Sequence, residues 1–280
     1  MTEHASSAVH TAAQGGHGEG VDIVHHLTDL DTLELLFWKI PLDSLRFELF
    51  GVDLSITKPV IFMWLAGLIL LLSFTLAFRG GRLMRSKFAQ LLEVYVIFVR
   101  DEIVYANIGE KDGRRLLPYF LTVFFFILTC NLLGLIPSGI TATGNVNVTA
   151  GLAIVAFLVI QGMGIVKNGF FKHFKSMVPP GLPLMVIPIM IPVEIISMFT
   201  KPFALCIRLF ANMVAGHAVI LAFFGLVFMM HGVLRYIIGP LPLLGVIGIS
   251  ILEVFIAHLQ AFIFTVLTAI FTSMTMHPSH

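Results

Sequence analysis

The chain has 280 residues, of which 58% are hydrophobic and only 12% charged. Soluble domains carry about 25% charged residues, and a globule of this size lacks the interior to hide so much apolar side chain. The composition excludes an ordinary soluble domain and fits a polytopic membrane protein whose apolar surface faces lipid.

Net charge is +1, so nothing in the bulk charge points to nucleic acid. The charges are unevenly placed. Nine of the 16 acidic residues precede residue 54, and after Asp112 only Glu194 and Glu253 remain. After Lys175 the basic residues are Lys201, Arg208 and Arg235. Charges this sparse in a lipid-embedded half are costly and tend to be functional.

Residues 1–56 read as an extracytoplasmic tail followed by a short interfacial helix, and residues 57–280 as the membrane domain. Five of the 11 histidines fall in the first 26 residues, where Gly and small polar residues dominate, so a solvated tail is expected there. No basic n-region and apolar h-region mark a signal peptide. Over 27–50, apolar and polar residues mix around Trp38, which suits the headgroup level of a membrane.

The first span lies between Lys58 and Arg79, 20 uncharged residues. That is enough helix for a core of ~30 Å at ~1.5 Å per residue. Arg79, Arg82, Arg85 and Lys87 then mark the cytoplasmic side, which leaves the N-terminus outside. Residues 88–105 interleave apolar positions with Glu93, Arg100, Asp101 and Glu102. They predict an amphipathic helix, at the membrane surface or packed on other helices.

No formal charge occurs between Arg115 and Lys167, a stretch that holds two spans broken near Pro137-Ser138-Gly139. Residues 176–192 contain Pro179, Pro180, Pro183, Pro188 and Pro192, so a broken, re-entrant segment is expected. A long helix is predicted from 193 to about 230, a turn at Gly239-Pro240-Leu241-Pro242, and a last helix over roughly 243–274. The total is five crossings, with the C-terminus inside.

Cys130 and Cys206 stand in apolar stretches, outside any CxxC or Cys/His cluster, and read as small buried side chains rather than a disulfide or zinc ligands. His217 and His231 are 14 apart, as two stacked haems require, but His258 and His277 are 19 apart and supply no matching pair. No metal or cofactor is expected.

The last two helices hold nearly all the intramembrane polar residues: Glu194, Ser197, Lys201, Arg208, Asn212 and His217 on one, Glu253, His258 and Gln260 on the other. A guanidinium stays protonated, and at a helix centre it costs about 2.5 to 3.5 kcal/mol on insertion scales. It needs an anion or a wet pocket. Asn212, four residues on, shares its face. Glu194 lies ~40° off that face and ~21 Å lower, while His217 is ~180° around and ~13 Å away. Neither sits directly on Arg208. Glu253 and Gln260, seven apart, share one face within ~20°, and His217 and Glu253 can meet across the two helices. A mobile carboxylate on another subunit is an attractive partner for the arginine. Structural readings stand beside these: Glu194 as an acid at a helix start, His217 and Glu253 as a plain pair, Gln260 as a helix–helix hydrogen bonder, Lys201 beside Pro202 as interfacial.

The stretch Arg208-Leu209-Phe210-Ala211-Asn212-Met213-Val214-Ala215-Gly216-His217 resembles the signature of subunit a of F-type ATP synthase. Asn131-Leu132-Leu133-Gly134-Leu135-Ile136-Pro137, Pro192-Val193-Glu194 and Leu259-Gln260-Ala261-Phe262-Ile263-Phe264 are similar to other motifs of that family. The resemblance covers about residues 45–275. It implies an all-α polytopic membrane protein, with about five crossings plus an amphipathic helix and two long tilted C-terminal helices forming a hairpin beside the c ring.

It further implies that Arg208 faces the rotating ring of c subunits as the essential arginine. Asn212, His217, Glu253 and Gln260 would line the outer proton half-channel, and Glu194 and Ser197 the cytoplasmic one. The implied partners are the c ring, the subunit b stator, the rest of the complex and the lipid bilayer, in a bacterial inner membrane. Asn145 departs from the pattern, since many members carry an acid there. With no phosphate-binding Gly-rich loop, the chain is not expected to bind ATP itself, and the resemblance implies a subunit that is non-catalytic by itself. A secondary transporter, built on broken helices at the midplane, and a purely structural membrane subunit are the rival readings.

Overall fold

The computed structural model describes residues 32–35, 38–41, 48–49, 52–53, 58–78, 86–135, 142–175, 187–229 and 240–277. The chain divides into two units, Met1–Ile61 and Phe62–His280. The His-rich tail, the break at 137–139, residues 176–186 of the proline segment, and His231 lie outside the described residues.

In the first unit, β1 (Thr32–Leu35) pairs antiparallel with β2 (Trp38–Pro41), Leu35 opposite Trp38. A smaller pair joins β3 (Glu48–Leu49) to β4 (Val52–Asp53). The short helix expected over 27–50 is therefore corrected to strands at these positions. Thr32, Trp38 and Ile40 favour a pleated ladder. Pro41 would stop a helix here, and isolated helices below ~12–15 residues are marginal.

Among the described residues, five helices are long and apolar enough to cross a membrane, within Pro59–Ala77, Glu110–Gly134, Val146–Asn168, Pro188–Phe223 and Pro240–Met276. They make the chain a polytopic membrane protein whose described membrane part, from Lys58 on, is all-α. They belong to α1 (Lys58–Phe78), α4 (Glu110–Gly134), α5 (Val146–Asn168), α7 (Ile187–Met229) and α8 (Pro240–Met276).

Between α1 and α4 run α2 (Lys87–Phe98), a π-helical stretch Val99–Tyr105 and a last turn, α3 (Ala106–Ile108). The amphipathic segment expected over 88–105 packs on other helices. The wide π turns bury Val99, Ile103 and Val104 completely. Tyr95 contacts Phe124, and Phe98 contacts Phe262. Arg100 donates two hydrogen bonds to Asp101, at 2.7 and 2.9 Å, which hold that carboxyl below its usual range. The chain then reverses into α4 at Gly109, whose φ of 90° suits a residue without Cβ. On Gly113 a Cβ would stand 3.0 Å from Val104 Cγ1, so the two arms lie close.

The core gathers around α4, where Phe120, Phe124 and Ile127 are buried. On α5 the buried positions Thr149, Ala153, Ala156, Ile160 and Gly164 follow a helical period. Small residues there let backbones approach, and Thr275 Oγ1 reaches the Ile160 carbonyl at 3.0 Å. Asn145 caps α5, its Oδ1 accepting from the Asn147 N–H at 2.9 Å. At the far end, Lys167 contacts Asp112 and His277, tying α4, α5 and α8 together. Beyond α5, α6 (Phe170–Lys175) lays His173 over Gly164; burial pushes its imidazole pKa down.

Two helix starts differ from expectation. Helix α7 begins at Ile187, six residues early, and α8 at Pro240. Prolines in a first turn sacrifice N–H groups that have no intrahelical partner anyway. Pro192 and Pro202 do sit inside α7 and each removes one ladder bond.

Asn131 on α4 is fully buried. It accepts from Thr143 Oγ1 at 2.6 Å and donates to the Ala257 carbonyl of α8 at 3.4 Å. Asn131→Ala would strand the buried Thr143 hydroxyl, at about 1–3 kcal/mol. The expected outcome is a lower apparent melting temperature for the purified complex. Asn131→Leu with Thr143→Val should lower it less, because no buried donor is then left unmade.

Candidate functional site

Helices α7 and α8 run as an antiparallel hairpin. Phe223 faces Gly245, His217 faces Glu253, Asn212 faces Gln260, and Lys201 faces Phe271. Apolar period sets this face: Leu205, Cys206, Leu209 and Met213 are buried on α7, and Ala257, Ala261 and Phe264 on α8. Cys206 meets Thr149 of α5, Sγ to Oγ1 at 3.4 Å, as a buried thiol.

Arg208 lies at the exposed edge of this face, within ~40° of Asn212 and ~20° of Lys201 around the helix. It shares an exposed stripe with Ala204, Ile207, Ala211 and Ala215. Among the described residues it forms no hydrogen bond or ion pair. A permanent cation on an exposed apolar face is costly in lipid without a counter-charge or water, and the alanines flanking it leave room for another helix.

The other expected residues fall on either side of it. Asn212, one turn on, donates from Nδ2 to Gln260 Oε1 at 2.8 Å, and Gln260 is 2% exposed. Asn212 stands one turn from Arg208 on the same helix, and its amide is tied to Gln260 of the next helix. His217 and Glu253 do meet, Nδ1 to Oε1 at 3.8 Å. His217 is further held between the carbonyls of Gly134 and Met213, each 3.1 Å from a ring nitrogen. A neutral imidazole has one N–H, so only one of these contacts is donated in that state. Glu253 is buried at 6% exposure.

In the other direction Glu194 and Ser197 are partly exposed. By register, Glu194 lies beyond the end of α8 at Met276. The polar groups therefore split into two sets, with Arg208 between them.

Three further participants stand in the motifs quoted from the sequence, where no role was assigned to them. Gly134 supplies a carbonyl to His217. Asn131 holds the α8 backbone at Ala257, between Glu253 and Gln260. Gly216 lies against the Glu253 carboxylate, with a built Cβ only 3.2 Å from Cδ and in contact with Oε1. The signals available for Gly216 were its place in the Arg208–His217 stretch and the cost of a glycine inside a helical pattern. Among the described residues, no three His, Cys, Asp or Glu gather as a metal site.

The pattern of the family described as ATP synthase A chain matches residues 60–273. The ATP synthase subunit a of Chlorobium phaeobacteroides is 43% identical, over 99% of this chain and 86% of its own length. That of Chloroherpeton thalassium is 43% identical over 94% and 79%. That of Anaeromyxobacter dehalogenans is 44% identical over 92% and 71%. Relatives this similar across nearly the whole length, together with a matched span that contains the α7–α8 hairpin, show that the chain belongs to the ATP synthase A chain family.

Proposed function

We propose that this chain is the stator proton channel of a rotary ATP synthase, offering two offset aqueous half-channels to a carboxylate on the ring of c subunits. The observation that carries the reading is Arg208, exposed on an apolar face with polar residues set apart on both sides.

The mechanism follows from charge physics. A ring carboxylate in lipid must be protonated, because an isolated charge there is too costly. Beside Arg208 it ionises, since an opposite charge favours the charged form. Asn212, Gln260, His217 and Glu253 form the outer half-channel, where a proton reaches the ring. Glu194 and Ser197 form the cytoplasmic one, where it leaves. Arg208 repels protons and blocks a direct leak between the two. Each proton crossing releases about 2.3 kcal/mol per 100 mV, which rotation carries to ATP synthesis elsewhere. The chain itself is non-catalytic. Its partners are the c ring, subunit b and the rest of the complex, in a bacterial inner membrane with the N-terminus outside and the C-terminus inside.

The test is face-specific disulfide formation with a cysteine placed beside the ring carboxylate. Ile207→Cys, at a position 42% exposed next to Arg208, should cross-link to the ring. Leu209→Cys, at a fully buried position, should not. Cross-linking from Leu209→Cys and none from Ile207→Cys would contradict the proposed ring-facing surface.

A further inference from the structure

Seven residues advance a helix by ~700°, within ~20° of two whole turns, and by ~10.5 Å. Glu194, Lys201 and Arg208 are spaced by seven, so they form one stripe along α7, with Lys201 midway. Lys201 is partly exposed. Its ammonium is held 5.3 Å from the ring centroid of Phe271, near the end of α8. An aromatic face positions a cation without neutralising it. Among the described residues Lys201 forms no ion pair.

The charged and titratable groups on the helices packed along this part of α7 are engaged elsewhere. Lys167 at the end of α5 and His277 just past α8 contact each other and Asp112. His258 and Glu253 stand farther along α8, the latter at His217. On its own stripe Lys201 therefore has an acid ~10.5 Å to one side and a second cation ~10.5 Å to the other.

From this placement we infer that Lys201 is a second electrostatic element of the channel. It lowers the proton affinity of the ring carboxylate on the side where Glu194 opens, while Arg208 holds that carboxylate once ionised. The inference rests on the half-channel reading above and adds to it a residue that sets how readily a proton is exchanged on one side only. In synthesis, Lys201 assists proton release toward Glu194. In ATP-driven pumping it opposes uptake from that side.

The sign is fixed. A positive charge favours the ionised carboxylate, so removing it strengthens proton binding. At ~10 Å, with an effective dielectric between ~20 and ~80, the shift is about 0.3 to 1 pH unit.

The experiment uses the whole complex in vesicles, with ATP-driven proton pumping followed as pH is varied separately on the two sides. In Lys201→Gln, the alkaline midpoint on the side of the catalytic head should move up by about 0.3 to 1 pH unit. The profile on the other side should stay in place, and Lys201→Arg should restore the original midpoint. Lys201→Met should behave as Lys201→Gln. An unmoved midpoint, equal movement on both sides, or loss of the assembled complex in both neutral variants would overturn the inference. Arg208→Ala, measured alongside, separates the two ideas. Lost pumping there with an unmoved Lys201→Gln midpoint sinks only the role of Lys201. Retained pumping in Arg208→Ala sinks the half-channel reading itself.

Discussion

Arg208→Lys is expected to leave the complex assembled and to lower ATP-driven proton pumping by about a hundredfold. The charge is kept, so any effect must come from shape and reach. A guanidinium presents a planar fork of donors that meets a carboxylate in two hydrogen bonds. An ammonium is a compact, strongly hydrated point charge on a different stem. Two lost bonds to a charged group, at about 1.5 kcal/mol each, are worth about a hundredfold in rate. A lysine can also lose its proton in an apolar site, and a neutral amine would leave the ring carboxylate unpaired. Arg208 has the exposure needed to form such a fork with an outside partner, since it bonds to nothing else among the described residues. The check is the initial rate of vesicle acidification per assembled complex. Full pumping by Arg208→Lys would mean that charge alone suffices.

Gly216→Ala should lower pumping by about ten- to a hundredfold while the helix itself gains stability. The Cβ would meet the Glu253 carboxylate, with Cγ only 3.3 Å away. Glu253 must then turn away and lose its 3.8 Å approach to His217. Misplacing a group by about 1 Å can cost a hundredfold in a positioned reaction. Gly225 and Gly248 lie on the same two helices, and a Cβ on either meets nothing within 4 Å. Alanine there should leave pumping unchanged. Shortening the acid, as Gly216→Ala with Glu253→Asp, should recover part of the rate. Equal effects at Gly216 and Gly225 would show that helix stiffening, and not the position of Glu253, is responsible.

The crossings were legible because charge is so expensive in lipid: the runs after Lys58 and Arg115 could be bounded by their flanking basic residues. The isolation of Arg208 was legible for the same reason. The meeting of His217 with Glu253 followed from face geometry on two helices. What could not be read depended on the register between helices. The space at Gly216 is taken by Glu253 of the neighbouring helix, which the local sequence does not show. The Thr143–Asn131 bond closes across a loop, joining residues twelve apart through tertiary contact. Asn212 was placed by its own helix, but its bond is decided by Gln260 on the next. The strands at Thr32–Leu35 and Trp38–Pro41 were missed because a mixed polar and apolar run shows neither period clearly. The early start of α7 was missed because clustered prolines read as a break, although first-turn prolines cost a helix little.

The most direct measurement is ATP-driven acidification together with passive proton leak, in vesicles carrying the whole complex with Arg208→Ala. Pumping should be lost while leak through the membrane sector is kept or raised, because the two half-channels remain and the cation between them is gone. Undiminished pumping, with leak no greater than in the native complex, would contradict it and leave Arg208 a structural residue.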